Sequence, residues 1–278
     1  MDAVIEKHIT VNGIELFYEE YTNPTAKHTL VLLHGFLSST FSYRRLIPLL
    51  REDFQVISVD LPPFGKSGKT PSFMYSYKNI AHTVLHFIEM MNWPSVHVIG
   101  HSMGGQIALY MMKLRPDLIK KGILLCSSGY LKRLKWPLIL SSYLPFFHYY
   151  VKFWLAKSGV RKNIENVVHN TALIDDDMMY GYLRPFLNDE IFIALTRMIR
   201  DREGDLTTKM LNEINTPCLL IWGQYDKVVP LSIGEKLKQD LPKSKLIVLE
   251  ETGHLVPEEK PDEVKKYIDE FLADGILV

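Results

Sequence analysis

A serine, an aspartate and a histidine in this chain each sit just past a short apolar run, where a strand end would present them. Ser102 is the centre of Gly100-His101-Ser102-Met103-Gly104, a Gly-x-Ser-x-Gly pattern followed by a further glycine, Gly105. The run Val96 to Ile99 before it is strand-like, and the stretch after it carries apolar residues at helical spacing (Ile107, Leu109, Tyr110, Met111, Leu114) until Arg115-Pro116 stops the helix. A strand-to-helix turn this tight holds its serine in a strained backbone conformation with the hydroxyl above the sheet, and the glycines leave room for close backbone packing. The chemistry on offer is nucleophilic attack by a hydroxyl group.

A serine hydroxyl is a poor nucleophile near neutral pH, so it needs a base to take its proton and a third group to orient that base. Asp226 follows Trp222-Gly223-Gln224-Tyr225, and His254 follows Glu251-Thr252-Gly253. Each lies beyond a strand-like run, Cys218 to Trp222 and Leu246 to Leu249, and the carboxyl ends of parallel strands converge on one crevice. His101 adjoins the serine, but neighbours at a tight turn point apart, which argues against its being the base. Asp60 also ends a strand and is a rival acid, although it precedes the serine. Because the base must be neutral, activity should rise through the titration of a histidine, ordinarily about 6.5.

The elements that must position these groups are legible as alternating signals. Residues 9 to 21 read as a hairpin turning at Asn12-Gly13. Leu30 to Leu33, Val56 to Val59, Val96 to Ile99 and Ile123 to Leu125 read as buried strands, separated by amphipathic stretches near 42 to 51, 77 to 92 and 103 to 114. Continuous apolar strands alternating with helices imply a parallel sheet covered on both faces. Between Leu131 and Asp205 the strand signals vanish and aromatic residues accumulate, after which two more buried strands and helices near 231 to 240 and 261 to 273 follow. The chain therefore divides into a first core part, 1–130, a helical cap insertion, 131–205, and a second core part, 206–278. Pro137 to Leu155 is nearly as apolar and long as a membrane span, but Pro145 interrupts it and its basic flanks show no orientation bias, which favours a cap with an apolar underside.

Composition narrows the function classes. A chain of 278 residues with 47% hydrophobic content buries a large core. Thirty-two basic against thirty-two acidic residues give no net charge, so no pull toward nucleic acid is expected. Cys126 and Cys218 each sit inside an apolar run and read as packed core thiols. There is no His-Glu-x-x-His, no metal-ligand spacing and no phosphate-cradling loop with its lysine, so neither a metal nor a cofactor is expected. The first residues lack a basic and an apolar signal region, and a cytoplasmic location is the expectation.

The order Ser102, Asp226, His254 is that of the α/β-hydrolase triad, and the chain resembles that superfamily over nearly its whole length. The residues carrying the resemblance are His34-Gly35-Phe36, Asp60 to Gly68 (Asp-Leu-Pro-Pro-Phe-Gly-Lys-Ser-Gly), Gly100 to Gly105, Gly223 to Pro230, and Gly253-His254 followed by Pro261. Within the superfamily it looks like the capped bacterial carboxylesterases and their haloperoxidase and carbon–carbon hydrolase relatives. The resemblance implies an α/β-hydrolase fold, a mostly parallel eight-stranded sheet with helices on both faces. It also implies an oxyanion hole from the backbone N–H groups of Phe36 and Met103, and a structural turn around Asp60. Some relatives use an acid after the strand Ile123 to Leu125; that position is vacant here (Cys126-Ser127-Ser128-Gly129), which favours Asp226. His34, Phe36, His101, Ser128, Trp136, Tyr143 and Val228 are expected to line the substrate site.

The activity so implied is hydrolysis of a small to medium carboxylic ester through an acyl-enzyme. A serine at position 102, where dehalogenase and epoxide hydrolase relatives need a carboxylate, argues against those chemistries. Monoacylglycerol lipolysis and carbon–carbon bond hydrolysis use the same triad. A reading of another class is a ligand-sensing regulator that keeps the fold but turns over slowly. The partner expected is a small-molecule ester, with peripheral membrane or lipid contact through the cap as a further expectation; the sequence leaves the oligomeric state open.

Overall fold

The computed structural model describes residues 4–273. The hairpin β1 (Ile5–Val11) and β2 (Ile14–Tyr21) turns at Asn12 and Gly13, whose φ angles of 52° and 78° are both left-handed, as a two-residue turn matched to strand twist requires. There follow β3 (Thr29–Leu33), β4 (Gln55–Val59), β5 (Val96–His101), β6 (Ile119–Leu125), β7 (Cys218–Gly223) and β8 (Ser244–Leu249). They form one eight-stranded sheet in the order β1-β2-β4-β3-β5-β6-β7-β8. Only β2 runs against the others.

Helices α1 (Ile47–Leu50), α2 (Tyr77–Met90), α3 (Met103–Leu114) and α10 (Leu231–Asp240) lie between strands, and α11 (Val256–Glu259) and α12 (Pro261–Ala273) follow β8. Leu30 to Leu33 and Ile123 to Leu125 are wholly buried, which explains why these strands read as unbroken apolar runs rather than alternating ones. The α2 boundary is set by Ser76, whose side chain accepts the N–H of Asn79.

Two expectations are corrected. The stretch near 42 to 51 is a short 3₁₀ turn, Thr40–Tyr43, followed by the four-residue α1, because Pro48 has no N–H to give to the preceding turn. The β8 strand, read as buried, is a half-exposed sheet edge whose Val248 faces solvent, since no strand pairs with it beyond β7.

Between β6 and β7 the chain is helical: α4 (Trp136–Ser141), α5 (Phe147–Ser158), α6 (Val160–Val167), α7 (Asp176–Leu183), α8 (Glu190–Asp201) and α9 (Thr208–Leu211). The apolar stretch weighed as a membrane span is split between α4 and α5, with Phe146 left-handed at the break (φ 64°). No helix among the described residues is long and apolar enough to cross a membrane.

Candidate active site

Ser102 stands between β5 and α3 with φ 51° and ψ −116°, a conformation that costs a non-glycine residue of order 1–3 kcal/mol. Close approach on every side maintains it. A Cβ at Gly100 would lie 2.4 Å from the Gly104 carbonyl oxygen, and one at Gly104 would lie 2.1 Å from that of Leu33. These two glycines let the turn sit against β3. The serine N–H donates to Leu125 O (3.0 Å) and its carbonyl accepts from Ser128 N (2.9 Å), so the turn is stitched to the end of β6. Met103 is the first residue of α3; its N–H has no acceptor within the helix and lies at the positive end of the helix dipole.

Asp226 and His254 are buried side by side, with Asp226 Oδ2 2.7 Å from His254 Nδ1. The other carboxylate oxygen, Oδ1, accepts the N–H groups of Val228 and Val229, both at 2.8 Å. Trp222, fully buried under α10, fixes the same loop by donating its indole N–H to Val229 O (2.9 Å). Burial pushes the Asp226 carboxyl up. The His254 hydrogen bond and charge and the two backbone N–H groups outweigh it and hold the group below its ordinary value, hence ionised. An ionised acceptor at Nδ1 fixes the proton there and leaves Nε2 free to accept another.

The main chain of His254 is held by the helical segment. Its N–H donates to Val167 O (2.7 Å), and the Glu259 carboxylate accepts from Gly253 N (2.9 Å), His169 N (2.8 Å) and Asn170 N (3.2 Å). Glu258, also buried, is paired with Arg44 (3.1 Å) and Arg45 (3.2 Å), and Arg44 reaches on to Asp177 at the start of α7.

The rival acid is otherwise engaged. Asp60 accepts the N–H of Thr40 at Oδ1 and that of Lys66 at Oδ2, both at 2.7 Å, and burial pushes its carboxyl up to about 6. Cys126, Asp226 and His254 bring donor atoms within 4.8 Å of one another. They make a poor metal set: burial pushes the Cys126 thiol well up, so it stays protonated, and both Asp226 oxygens are already bonded.

Ser102 opens into a cavity of about 720 Å³. Of the residues expected to line a substrate site, Phe36, Ser128 and Val228 do, as does Met103. Four others are placed elsewhere. His34 is fully buried, with Nε2 accepting Leu61 N (2.8 Å) and Nδ1 donating to Gly35 O (2.7 Å), so it ties the loop of Phe36 to the end of β4. His101 packs against the His254 ring, its Nε2 donating to His254 O (2.9 Å). Trp136 and Tyr143 are exposed, under the guanidinium groups of Arg133 and Arg200; on α4 it is Ile139 that is buried and Leu138 that reaches the cavity.

Sequence reasoning missed Tyr77, Tyr150, Trp154, Leu195, Met198 and Arg202 in the cavity wall. The i, i+4 spacing of Tyr150 and Trp154 signals one helical face; nothing local marks Tyr77 or Arg202. Arg202 is the only formally charged residue in the lining among the described residues. It lies 3.7 Å from Asp205 and over the Tyr77 ring.

A hydroxyl on a strained turn after β5, a buried imidazole–carboxylate pair beyond the ends of β7 and β8 and an apolar cavity can together carry out attack on a carbonyl carbon. Residues 28–261 match the model of a family described as alpha/beta hydrolase fold. The chain belongs to the α/β-hydrolase family. It is 50% identical over 273 residues to the uncharacterized hydrolase YugF of Bacillus subtilis (strain 168), covering 98% of this chain and 100% of that protein. It is 25% identical over 293 residues to monoacylglycerol lipase abhd6-B of Xenopus laevis, covering 94% and 83%. Among solved structures, 2-hydroxy-6-oxo-6-phenylhexa-2,4-dienoate hydrolase from Rhodococcus sp. strain RHA1 superposes with a TM-score of 0.81 at 20% identity, over 98% of this chain and 99% of that one, which shows the shared fold. This α/β-hydrolase is thus a hydrolase whose sheet presents Ser102, Asp226 and His254 at the carboxyl ends of β5, β7 and β8.

Proposed function

We propose that the protein is a serine hydrolase that cleaves carboxylic esters bearing an apolar chain of small to medium length. The observation that carries this reading is Ser102 opening into an apolar cavity of about 720 Å³, in a sheet whose later strand ends carry a buried, hydrogen-bonded His254–Asp226 pair. The volume is within the range of small-molecule sites, and a lining with a single formal charge suits a neutral substrate. His254 takes the Ser102 hydroxyl proton as the oxygen attacks the ester carbonyl. The backbone N–H groups of Phe36 and Met103 receive the oxyanion, each such donor being worth about 10²–10³ in turnover. His254 then protonates the leaving alcohol, deprotonates the incoming water and returns a proton to Ser102 as the acid is released.

One observation favours a second reading. Carbon–carbon bond hydrolysis of a keto-acid would need a cation for the substrate carboxylate, and Arg202 in the cavity wall has Nε and Nη2 without hydrogen-bond partners. A chain-length series of p-nitrophenyl esters, with mass spectrometry after a phosphonate probe, tests the first reading. The expected result is an adduct on Ser102 and loss of turnover in Ser102→Ala. Absence of both label and turnover would refute it. Faster turnover of an acidic vinylogous diketone, with a KM raised only for that substrate in Arg202→Gln, would establish the second.

A further inference from the structure

The stretch Trp136 to Trp154 exposes ten large apolar or aromatic side chains, among them Phe146 at 72% and Phe153 at 68%. Proteins that live wholly in water rarely leave so many together. On α5 the pairs Tyr149/Phe153 and Tyr150/Trp154 repeat at i, i+4 and form two adjacent stripes, while Val151 faces inward. Tyr150, Trp154 and Leu138 are exposed and also line the cavity above Ser102, so the cavity mouth opens within this apolar belt.

Charge is distributed unevenly around it. Between Leu131 and Ile164 there are seven lysines and arginines and no aspartate or glutamate, in a chain whose total is balanced at thirty-two of each. Lys152 is paired with Asp189 and Arg161 with Glu165; Lys132, Arg133, Lys135, Lys157 and Lys162 are exposed and take part in no ion pair among the described residues.

We propose that this belt is a docking surface for an anionic lipid bilayer, and that the cavity mouth within it admits the ester directly from the membrane. Exposed aromatic rings flanked by lysines and arginines match the two components of such a surface: rings settle at the headgroup level and cations face anionic headgroups. A second copy of the chain fits less well, because its belt would bring the same positive charge against this one. Helices of six and twelve residues are too short to cross a bilayer, so α4 and α5 lie on it. Each basic side chain near an anionic surface contributes about a fivefold factor in partitioning. The delivery of substrate rests on the esterase reading, whereas the docking does not.

The test uses the full chain carrying Ser102→Ala, which cannot consume lipid, sedimented with phosphatidylcholine vesicles with or without phosphatidylserine. Binding should be at least about tenfold tighter with phosphatidylserine and should weaken as salt rises. Brominated lipid should quench Trp136 and Trp154 while the buried Trp222 stays unquenched. The double substitution Phe146→Asn with Phe153→Ser, at two exposed positions outside the cavity lining, should weaken binding at least about tenfold. Made on the active chain, it should leave turnover of a water-soluble short ester unchanged. Equal sedimentation of the two proteins would overturn the proposal. So would a dimer that dissociates on this double substitution without partitioning onto vesicles, which would make the belt a self-association face. Failure of the phosphonate to label Ser102 in the unsubstituted chain, with vesicle binding intact, would remove the esterase reading and leave the docking surface standing.

Discussion

Replacing Asp226 by asparagine changes one atom and separates two jobs that the carboxylate performs. Its Oδ1 accepts two N–H groups at 2.8 Å, and the introduced amide oxygen can take these over unchanged. The amide nitrogen then faces His254 Nδ1, where the carboxylate oxygen stood at 2.7 Å. A donor there forces Nδ1 to accept, moves the imidazole proton to Nε2 and removes the site that must accept the Ser102 proton. Loss of the correct tautomer and of the charge that stabilises the imidazolium costs about 10⁴ in kcat in triads of this kind, or about 5 kcal/mol of transition-state stabilisation. Stability should change by no more than about 1 kcal/mol, because the loop keeps its acceptor. Asp226→Ala, by contrast, leaves the N–H groups of Val228 and Val229 without their partner, at about 1–3 kcal/mol for each that stays buried. Steady-state turnover of p-nitrophenyl butyrate and urea unfolding of both variants measure the two terms separately. If Asp226→Asn stayed within tenfold of the parent while Asp60→Asn abolished turnover, the acid would be misassigned and the argument refuted.

Gly104→Ala places a methyl group 2.1 Å from Leu33 O, so the turn must part from β3. We expect a loss of about 3 kcal/mol or more and no phosphonate labelling, checked by thermal unfolding and mass spectrometry. Glu258→Ala leaves the partly buried guanidinium groups of Arg44 and Arg45 without their shared carboxylate, which should cost about 3 kcal/mol; a change under about 1 kcal/mol in unfolding would show that solvent or Asp177 compensates. Burial pushes His34 down to about 4 and His101 down to about 3. Both states are neutral above a histidine's usual value of about 6.5, and below it only the unfolded chain takes the proton, so stability is complete above that pH and lost as pH falls toward 4. For His34 alone the loss is about 3 kcal/mol. Asp60, pushed up to about 6, acts with the opposite sign and offsets about as much as one of the two histidines contributes. Urea midpoints that do not fall between pH 7 and 4.5 would contradict this.

What the sequence made legible is what short-range physics dictates. The Asn12-Gly13 turn, the apolar runs of β3 to β7 and the glycine-flanked serine are fixed by steric and periodic rules acting over a few residues, and each stands where those rules put it. Side-chain direction depends on what arrives from elsewhere in the chain. Trp136 and Tyr143 have the composition of a pocket wall, yet they stay outside it, while Ile139 is the residue of α4 that is buried and Leu138 the one that reaches the cavity. His34 and His101 neighbour the chemistry in sequence but spend their ring nitrogens on main-chain groups. The Glu259 carboxylate has no local signature at all, because its partners are N–H groups that lie up to 90 residues away. Arg202 reaches the cavity only through the return of α8 toward the sheet.

The hydrogen bonds from Gly253, His254 and residues 169–170 to Glu259 and Val167 divide the helical segment into two regions with different freedoms. Its Val167–Asn170 end is bolted to the loop of His254, so on the esterase reading a change there should alter turnover whatever the substrate. Its Trp136–Trp154 end touches the substrate path and the outside, but none of these bonds. On that reading substrate range should shift on exchanging α4 and α5 as a cassette without disturbing the His254 loop, whereas exchanges that extend past Val167 must carry Glu259 with them.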